Sequence, residues 1–132
     1  MIVGFGRMGR ALCASLKEHQ QAFVLIESDP SMVKQAEELD YLCIEGDAVA
    51  ANILAKASLA QAAGMVCCLP READNVFVTL KARELNKTMM VIARGQNIEN
   101  ESMLKRAGAN RVIVPPVLAA NQVLDMLTTP EA

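Results

Sequence analysis

Aromatic residues and histidine are scarce in this chain. Phe, Trp and Tyr make up 3% of its 132 residues, tryptophan is absent, and His19 is the single histidine. Proteins that bind single-stranded nucleic acid stack bases on aromatic side chains, and nucleic-acid binders in general carry a basic surface. The net charge here is -2, and no stretch concentrates Lys and Arg. The sequence therefore argues against a nucleic-acid partner.

Long apolar runs and metal-binding patterns are also missing. No run approaches the roughly 20 apolar residues that a membrane-spanning helix needs, so the chain itself is not predicted to cross a bilayer. Cys13, Cys43, Cys67 and Cys68 show no CxxC spacing, and we expect small buried thiols in a reducing cytosol rather than metal ligands. The first apolar stretch, 1–3, is short for a central strand, which predicts a fragment of a longer protein.

Short apolar stretches alternate with helical patterns throughout residues 1–132, which predicts one α/β domain. The alternation indicates a Rossmann-like, doubly wound parallel sheet of six strands in the order 3-2-1-4-5-6, covered by helices on both faces. The predicted strands are Met1–Val3, Ala22–Glu27, Tyr41–Ile44, Gly64–Leu69, Thr88–Ala93 and Arg111–Val114. The predicted helices are Arg7–Glu18, Pro30–Leu39, Ala48–Ala57, Ala73–Leu85, Ile98–Ala107 and Val117–Leu127.

The turn after the first strand carries a dinucleotide-binding pattern. Gly4, Gly6 and Gly9 form GxGxxG between an apolar strand and a helix, and Glu27 follows 21 residues after Gly6. Gly4 allows the tight turn, Gly6 lets a pyrophosphate approach the backbone, and Gly9 lets the helix pack on the sheet. The amides of the first helical turn then face the phosphates. Arg7 in that turn either pairs with a phosphate or is a solvated surface residue.

Two acids are placed where they could select the ligand. Glu27 ends the second strand, where a carboxylate accepts ribose hydroxyls and repels a 2′-phosphate. It favours NAD(H), or AMP, ADP or ATP, over NADP; the alternative is an acid that only caps the helix opened by Asp29 and Pro30. Asp47 follows the third strand at the same edge, where it either approaches the adenine or only caps the next helix.

No side chain suggests catalysis near such a ligand. His19 falls near the far end of the first helix, and no Ser–His, Cys–His or Lys–Tyr arrangement stands out. We therefore predict a protein that binds without chemistry and is not an enzyme. The alternatives are the cofactor domain of an NAD-dependent oxidoreductase that lacks its catalytic domain, and an assembly module whose glycine turn stays empty.

The last helix, Val117–Leu127, is apolar around most of its circumference. Only Asn121, Gln122 and Asp125 are clearly polar. One side of a sheet cannot cover so wide an apolar surface. We predict that this helix forms a homodimer or a higher ring; the alternative is a helix buried normally within the domain.

A set of short motifs resembles the regulator-of-potassium-conductance (RCK) domain, also called the TrkA N-terminal domain. The motifs are, in order, Gly4-Phe5-Gly6-Arg7-Met8-Gly9, Ile26-Glu27-Ser28-Asp29-Pro30, Glu45-Gly46-Asp47-Ala48, Asp74-Asn75, Ile92-Ala93-Arg94 and Ala107-Gly108-Ala109 with Val112-Ile113-Val114-Pro115. The resemblance implies a domain on the cytoplasmic face of a potassium channel, a Trk or Ktr transport system or a Kef antiporter. It also implies NAD(H) or adenine-nucleotide binding, assembly into dimers or rings, and control of the membrane pore.

The resemblance further implies a set of cofactor-binding residues, with no catalytic residue and no metal ligand among them. They are Gly4, Gly6, Arg7, Met8, Gly9, Glu27, Ser28, Asp47, Ala48, Leu69, Asp74 and Arg94. The first-turn residues fall at the phosphates, Glu27 at the adenosine ribose and Asp47 near the adenine. Asp74 and Arg94 fall at the mouth of the cleft.

The chain departs from the family pattern at two places. Val49 stands where the family often has threonine, so a hydroxyl contact is lost. Arg94 and Gln96 stand where calcium-gated members carry acids, which leaves only Asp74 acidic nearby. Because a hard cation needs several oxygen ligands, calcium gating of that kind is not expected.

Overall fold

Six parallel strands form the sheet of the computed structural model, which describes residues 1–50 and 52–129. The strands are β1 (Ile2–Val3), β2 (Leu25–Glu27), β3 (Cys43–Glu45), β4 (Gly64–Cys67), β5 (Met90–Arg94) and β6 (Arg111–Ile113). The helices are α1 (Arg7–Glu18), α2 (Pro30–Glu38), α3 (Ile53–Lys56), α4 (Glu72–Leu85), α5 (Glu101–Ala107) and α6 (Pro115–Thr128). The strand order is β3-β2-β1-β4-β5-β6, which confirms the predicted Rossmann-like topology.

The apolar stretches fill two cores, one on each face of the sheet. Because neighbouring strand residues face opposite sides, Ile2 and Leu25 lie in the core that α1 and α2 cover. Val3 and Ile26 lie in the core that α3, α4 and α5 cover. Burial on both faces explains why these strands are continuously apolar and leaves the ends of the strands as the place for a ligand.

The crevice for a ligand follows from the register of β1. Val3 pairs with Ile26 of β2 on one side and with Cys67 of β4 on the other. From β1 the strand order continues to β2 and β3 on one side of the sheet, and from β4 to β5 and β6 on the other. The carboxyl ends of β1 and β4 therefore flank a topological switch point. Ligands of open α/β sheets bind at such points.

The segment between β3 and β4 differs from the predicted helix Ala48–Ala57. The Asp47 carboxylate accepts a hydrogen bond from the Val49 amide at 2.9 Å, and the Asp47 carbonyl accepts one from the Ala50 amide at 2.9 Å. These bonds close a turn that competes with helix formation. Among the described residues between β3 and β4, regular helix is confined to the single turn of α3, followed by a 3-10 turn at Leu59–Gln61.

The last helix begins at Pro115 and ends at Thr128, rather than spanning Val117–Leu127 as predicted. Proline fits the first helical turn because its missing amide hydrogen has no intrahelical acceptor there. None of the described α6 residues is buried, so the alternative of a helix buried within the domain is wrong for this chain alone. In the part of the chain that the structure describes, no helix is both long and apolar enough to span a bilayer.

Candidate nucleotide-binding site

The glycine turn joins β1 to α1 at the switch point. Gly4 has φ of +103°, a backbone conformation that side chains rarely tolerate, and a Cβ on Gly9 would collide with the Gly4 carbonyl oxygen. The fold itself therefore requires these two glycines. Gly6 differs, because, apart from Gly6 itself and its two chain neighbours, no described atom lies within 4 Å of the position that its Cβ would take. No steric contact in the described chain requires a glycine there, and the space is open to a ligand.

The start of α1 offers free amides to that space. Gly6 is the N-cap without a side-chain cap, and the Arg10 amide makes the first helical bond, to the Gly6 carbonyl at 2.8 Å. The preceding amides have no acceptor within the helix, and the first turn holds no acid. Arg7 is exposed there, while the Met8 side chain packs in the core beneath α1. The backbone of Met8 therefore faces the ligand space, while its side chain is partly buried.

Glu27 is tied to the glycine turn. Its side chain is 9% exposed. One carboxylate oxygen accepts the Phe5 amide at 2.8 Å, and the other accepts the Asp29 amide at 2.8 Å. The cap of α2 is Asp29, which accepts from the Ser31 amide at 2.9 Å, so the interpretation of Glu27 as the capping acid is wrong. Each carboxylate oxygen keeps further acceptor capacity for a hydroxyl. Ser28, between the two acids, is exposed.

The turn after β3 lies beside Glu27. The Gly46 amide donates to the Glu27 carbonyl at 2.9 Å, which brings Asp47 to the same edge. Asp47 is exposed and binds the Val49 amide, so it caps a turn rather than a helix. Ala48 is buried against the core and can contribute only its backbone. The adenine contact of Asp47 stays a prediction.

Asn75 connects the ends of β4 and β5, on the side of the crevice away from Glu27. Its side chain, 1% exposed, accepts from the Leu69 amide at 2.9 Å and donates to the Leu69 and Arg94 carbonyls at 3.0 and 2.9 Å. It thereby fastens the ends of β4 and β5 to one another. Asp74, its neighbour, pairs with Arg71 at 3.0 Å. The sequence analysis missed this role of Asn75; the signal was a polar residue in the first turn after a buried strand.

Glu72 is a second residue that the sequence analysis missed. Its side chain is buried, and one oxygen accepts from the Gln96 amide at 2.6 Å, whereas the other has no hydrogen-bond partner among the described residues. Asp74 is therefore not the only acid near the loop after β5, which corrects the expectation above. Residues 1–50 and 52–129 hold no group of three or more His, Cys, Asp or Glu side chains suited to a metal ion.

All four cysteines are free thiols. Burial raises the pKa of Cys68 to about 12 and the pKa values of Cys13 and Cys43 to about 11, and it raises the pKa of Cys67 further. Cys68 lies directly under the glycine turn, where its thiol donates to the Val3 and Gly4 carbonyls at 3.3 and 3.4 Å. The thiols are therefore protonated packing groups at neutral pH.

An open glycine turn at the switch point, with a carboxylate held at the end of β2, defines a Rossmann-like domain. Residues 1–115 match the model of the TrkA-N domain family. The chain belongs to this family and is an RCK/TrkA-N domain.

Two proteins of known name illustrate the relationship. Potassium channel protein 1 of Methanocaldococcus jannaschii is 32% identical over 133 residues, which cover 99% of this chain and 40% of the channel protein. A Trk system potassium uptake protein TrkA homolog of Methanothermobacter thermautotrophicus is 29% identical over 132 residues, covering 99% of this chain and 61% of the homolog. The chain thus spans less than two thirds of either relative.

Solved structures agree with the fold. The TrkA-N domain of the Escherichia coli inner membrane protein ybaL is 25% identical, with a TM-score of 0.90 over 96% of this chain and 93% of that domain. The GsuK structure bound to ADP is 31% identical, with a TM-score of 0.83 over 98% of this chain and 34% of GsuK. A GsuK channel bound to NAD is 26% identical, with a TM-score of 0.82 over 93% of this chain and 22% of that channel chain.

Proposed function

We propose that this chain is a regulatory domain that binds NAD(H) or AMP, ADP or ATP at the glycine turn and catalyses no reaction. The observation that carries the proposal is the empty space at Gly6, which opens directly onto the uncapped amides of α1. A pyrophosphate at that point meets the positive end of the helix dipole. The ADP and NAD complexes of GsuK support the same ligand class.

Glu27 supplies the second half of the recognition. The amides of Phe5 and Asp29 hold its carboxylate in one orientation, so it loses little conformational freedom when it accepts ribose hydroxyls. A 2′-phosphate would bring a second anion to this buried carboxylate, which disfavours NADP. Asp74 and Arg94 then border the outer part of the ligand.

The consequence of binding is control of potassium transport at the cytoplasmic face of a membrane. The named relatives are a potassium channel protein and a potassium uptake protein, and this chain corresponds to part of each. The ligand changes the balance between two arrangements of a dimer or ring, and this rearrangement gates the pore of a channel or transporter. A ligand can do so only through unequal affinity for the two arrangements.

The assembly surface is α6. Its apolar face contains Val123, Leu124 and Leu127, which are all exposed in this chain, while Gln122 and Asp125 lie on the other side of the helix. Ala120, Val123 and Leu127 follow the 3-and-4 spacing of helices that pack against one another. A second copy of the chain supplies a matching surface.

Calorimetric titration with NAD, NADH, AMP, ADP and ATP tests the binding step, with Gly6→Ala as the diagnostic variant. Gly6 has φ of -81°, which alanine adopts freely, so the variant should fold normally. Its methyl group would occupy the pyrophosphate position, and we expect affinity to fall by about tenfold or more, roughly 1.4 kcal/mol.

The matched control is Ser15→Ala, on the exposed face of α1 and away from its first turn, which should bind like the unmodified chain. If none of the five nucleotides gives binding heat up to millimolar concentration, the proposal is contradicted. That result would favour the assembly module with an empty glycine turn. Equal affinities of the Gly6→Ala and Ser15→Ala variants would place the ligand elsewhere.

A further inference from the structure

The register of the four central strands aligns one residue from each of them at the level of the glycine turn. One position beyond Val3 and its partners, this row consists of Glu27, Gly4, Cys68 and Arg94. Because neighbouring strands lie about 4.8 Å apart, three strand spacings separate the Cα atoms of Glu27 and Arg94 by roughly 14 Å. The crevice therefore has an acid at its β2 end and a base at its β5 end.

Glu27 and Arg94 lie on the same face of the sheet. Ile26 and Ala93, the residues immediately before them, both belong to the core that α3, α4 and α5 cover. Because successive side chains of a strand alternate between the two faces, Glu27 and Arg94 are on the opposite face, the one that α1 covers. The first turn of α1 carries the uncapped amides, so both side chains can contact a ligand that lies along this turn.

The Arg94 guanidinium has no partner among the residues that the structure describes. The side chain is half-buried, and it makes neither a salt bridge nor a side-chain hydrogen bond there. Two nearby acids are engaged elsewhere: Asp74 pairs with Arg71 at 3.0 Å, and Glu72 accepts from the Gln96 amide at 2.6 Å. A charge that is partly removed from water without a partner costs free energy, and an anionic ligand would offset that cost.

The positive charge of Arg94 acts on the floor of the crevice. Cys68 lies directly under the glycine turn, where burial is the main cause of its raised pKa and the charge of Arg94 opposes the rise. A charge has such an effect on a pKa only from a short distance. This agrees with the register, in which Cys68 and Arg94 are neighbours. Asn75 fixes the backbone of Arg94 by donating to its carbonyl at 2.9 Å.

We propose that Arg94 binds the terminal phosphate of a nucleoside di- or triphosphate, so that this chain prefers ADP or ATP to NAD(H) and AMP. The inference rests on the proposed function, because it takes the ribose at Glu27 and the first phosphate at α1 as given. A terminal phosphate carries nearly two negative charges, and its oxygens fit the planar fork of donors on arginine. In NAD(H) the second phosphate is esterified and has one charge less, and AMP has no second phosphate.

Calorimetric titration of ADP, NAD and AMP into the unmodified chain and two variants tests this preference. Arg94→Gln removes the charge, and Arg106→Gln, at an exposed position of α5, is the matched control. We expect the unmodified chain and the control to bind ADP on the order of tenfold more tightly than NAD or AMP. Arg94→Gln should lose ADP affinity by a similar factor, while its NAD affinity changes by less than about twofold. Thermal unfolding of both variants verifies that they are folded.

Equal affinities of the unmodified chain for ADP and NAD would overturn this inference and leave the proposed function intact. The same holds if Arg94→Gln binds ADP as tightly as Arg106→Gln does. An Arg94→Gln variant with altered sedimentation velocity but unaltered ADP affinity would also overturn it, since Arg94 would then contact a second copy of the chain instead of the ligand. Binding of none of the three nucleotides would contradict both this inference and the proposed function.

Discussion

Gly6 and Gly9 are three residues apart, yet the structure gives different reasons for the absence of their side chains. A Cβ at Gly9 would meet the Gly4 carbonyl oxygen inside the fold, whereas a Cβ at Gly6 would meet open space. A side chain that cannot move away from backbone causes overpacking. The fold thus accounts for Gly9, whereas the open space at Gly6 is where the proposed ligand would approach the backbone.

We therefore expect Gly9→Ala to lower the free energy of unfolding by about 2–4 kcal/mol. Gly6→Ala should lower it by about 1 kcal/mol or less, which is the cost of alanine in place of glycine as the N-cap. Urea unfolding of both variants measures the difference. Equal losses of stability would show that the fold, and not a ligand, requires glycine at both positions.

Glu27 has a structural role that is separable from ligand binding. In Glu27→Gln, one of the two side-chain atoms becomes an amide nitrogen, which faces the Phe5 or Asp29 amide as a second donor. We expect the free energy of unfolding to fall by about 1–3 kcal/mol, because a buried donor loses its acceptor. Glu18→Gln on the exposed end of α1 is the control, and denaturant unfolding is the measurement. An unfolding curve equal to that of the control would contradict the hydrogen bonds described here.

At the scale of single elements, the start of α2 depends on Asp29. The Ser31 hydroxyl and amide both donate to its carboxylate at 2.9 Å, and these bonds lower the pKa of Asp29. Because the pKa is lower in the folded chain than in the unfolded one, the stabilisation is present above the unfolded pKa of about 3.9. It is lost as the pH falls through the folded pKa.

The variant Asp29→Ala should therefore unfold at a lower temperature than the unmodified chain, by a difference that is constant above about pH 5 and shrinks below about pH 4. Asp29→Asn keeps a capping oxygen without a charge. At neutral pH its unfolding temperature should therefore lie closer to that of the unmodified chain than the unfolding temperature of Asp29→Ala does. Thermal unfolding followed by circular dichroism across this pH range is the measurement. A difference that grows on acidification would contradict the assigned direction.

The elements that the sequence predicted correctly are those whose pattern is local. The strands follow from apolar alternation, and the start of α2 follows from Asp29 before Pro30. The strand order was predicted from the glycine pattern and from the right-handed crossovers of parallel sheets. The helix predicted over Ala48–Ala57 was wrong because the Asp47 turn competes with it, and propensity alone does not decide such a competition. The link from Glu72 to Gln96 spans 24 residues, so no local pattern predicts it.

In the candidate site too, the features with a local sequence pattern were predicted and those that depend on the folded structure were not. The spacing of Gly4, Gly6, Gly9 and Glu27 was readable because the dinucleotide-binding pattern is a local one. The bonds that orient Glu27 were not readable, since they depend on where the Phe5 amide points once the glycine turn is folded. Asn75 was seen as part of a motif, but its bridge between β4 and β5 requires the sheet to be assembled.

At the scale of the whole molecule, the apolar face of α6 is exposed to solvent in this chain. Leu127 is 79% exposed and sits on the apolar face of the helix. Leu127→Asp should convert the proposed dimer or ring to monomer, because a charge would be buried in the proposed interface. Gln122→Glu, on the exposed polar side of α6, should leave the assembly unchanged. Sedimentation velocity distinguishes the two, and a dimer that survives Leu127→Asp would contradict the assignment of α6.

The central claim is that the glycine turn holds the phosphates while Glu27 holds the ribose. Nuclear magnetic resonance of the nitrogen-15-labelled chain during titration with ADP and with NAD tests this most directly. The account predicts that the signals of the Arg7 and Met8 backbone amides, and of the amides next to Glu27, change chemical shift on binding. The signal of the Val24 amide, near the amino ends of the strands, should not change. Unchanged Arg7 and Met8 amides at saturating nucleotide would contradict it.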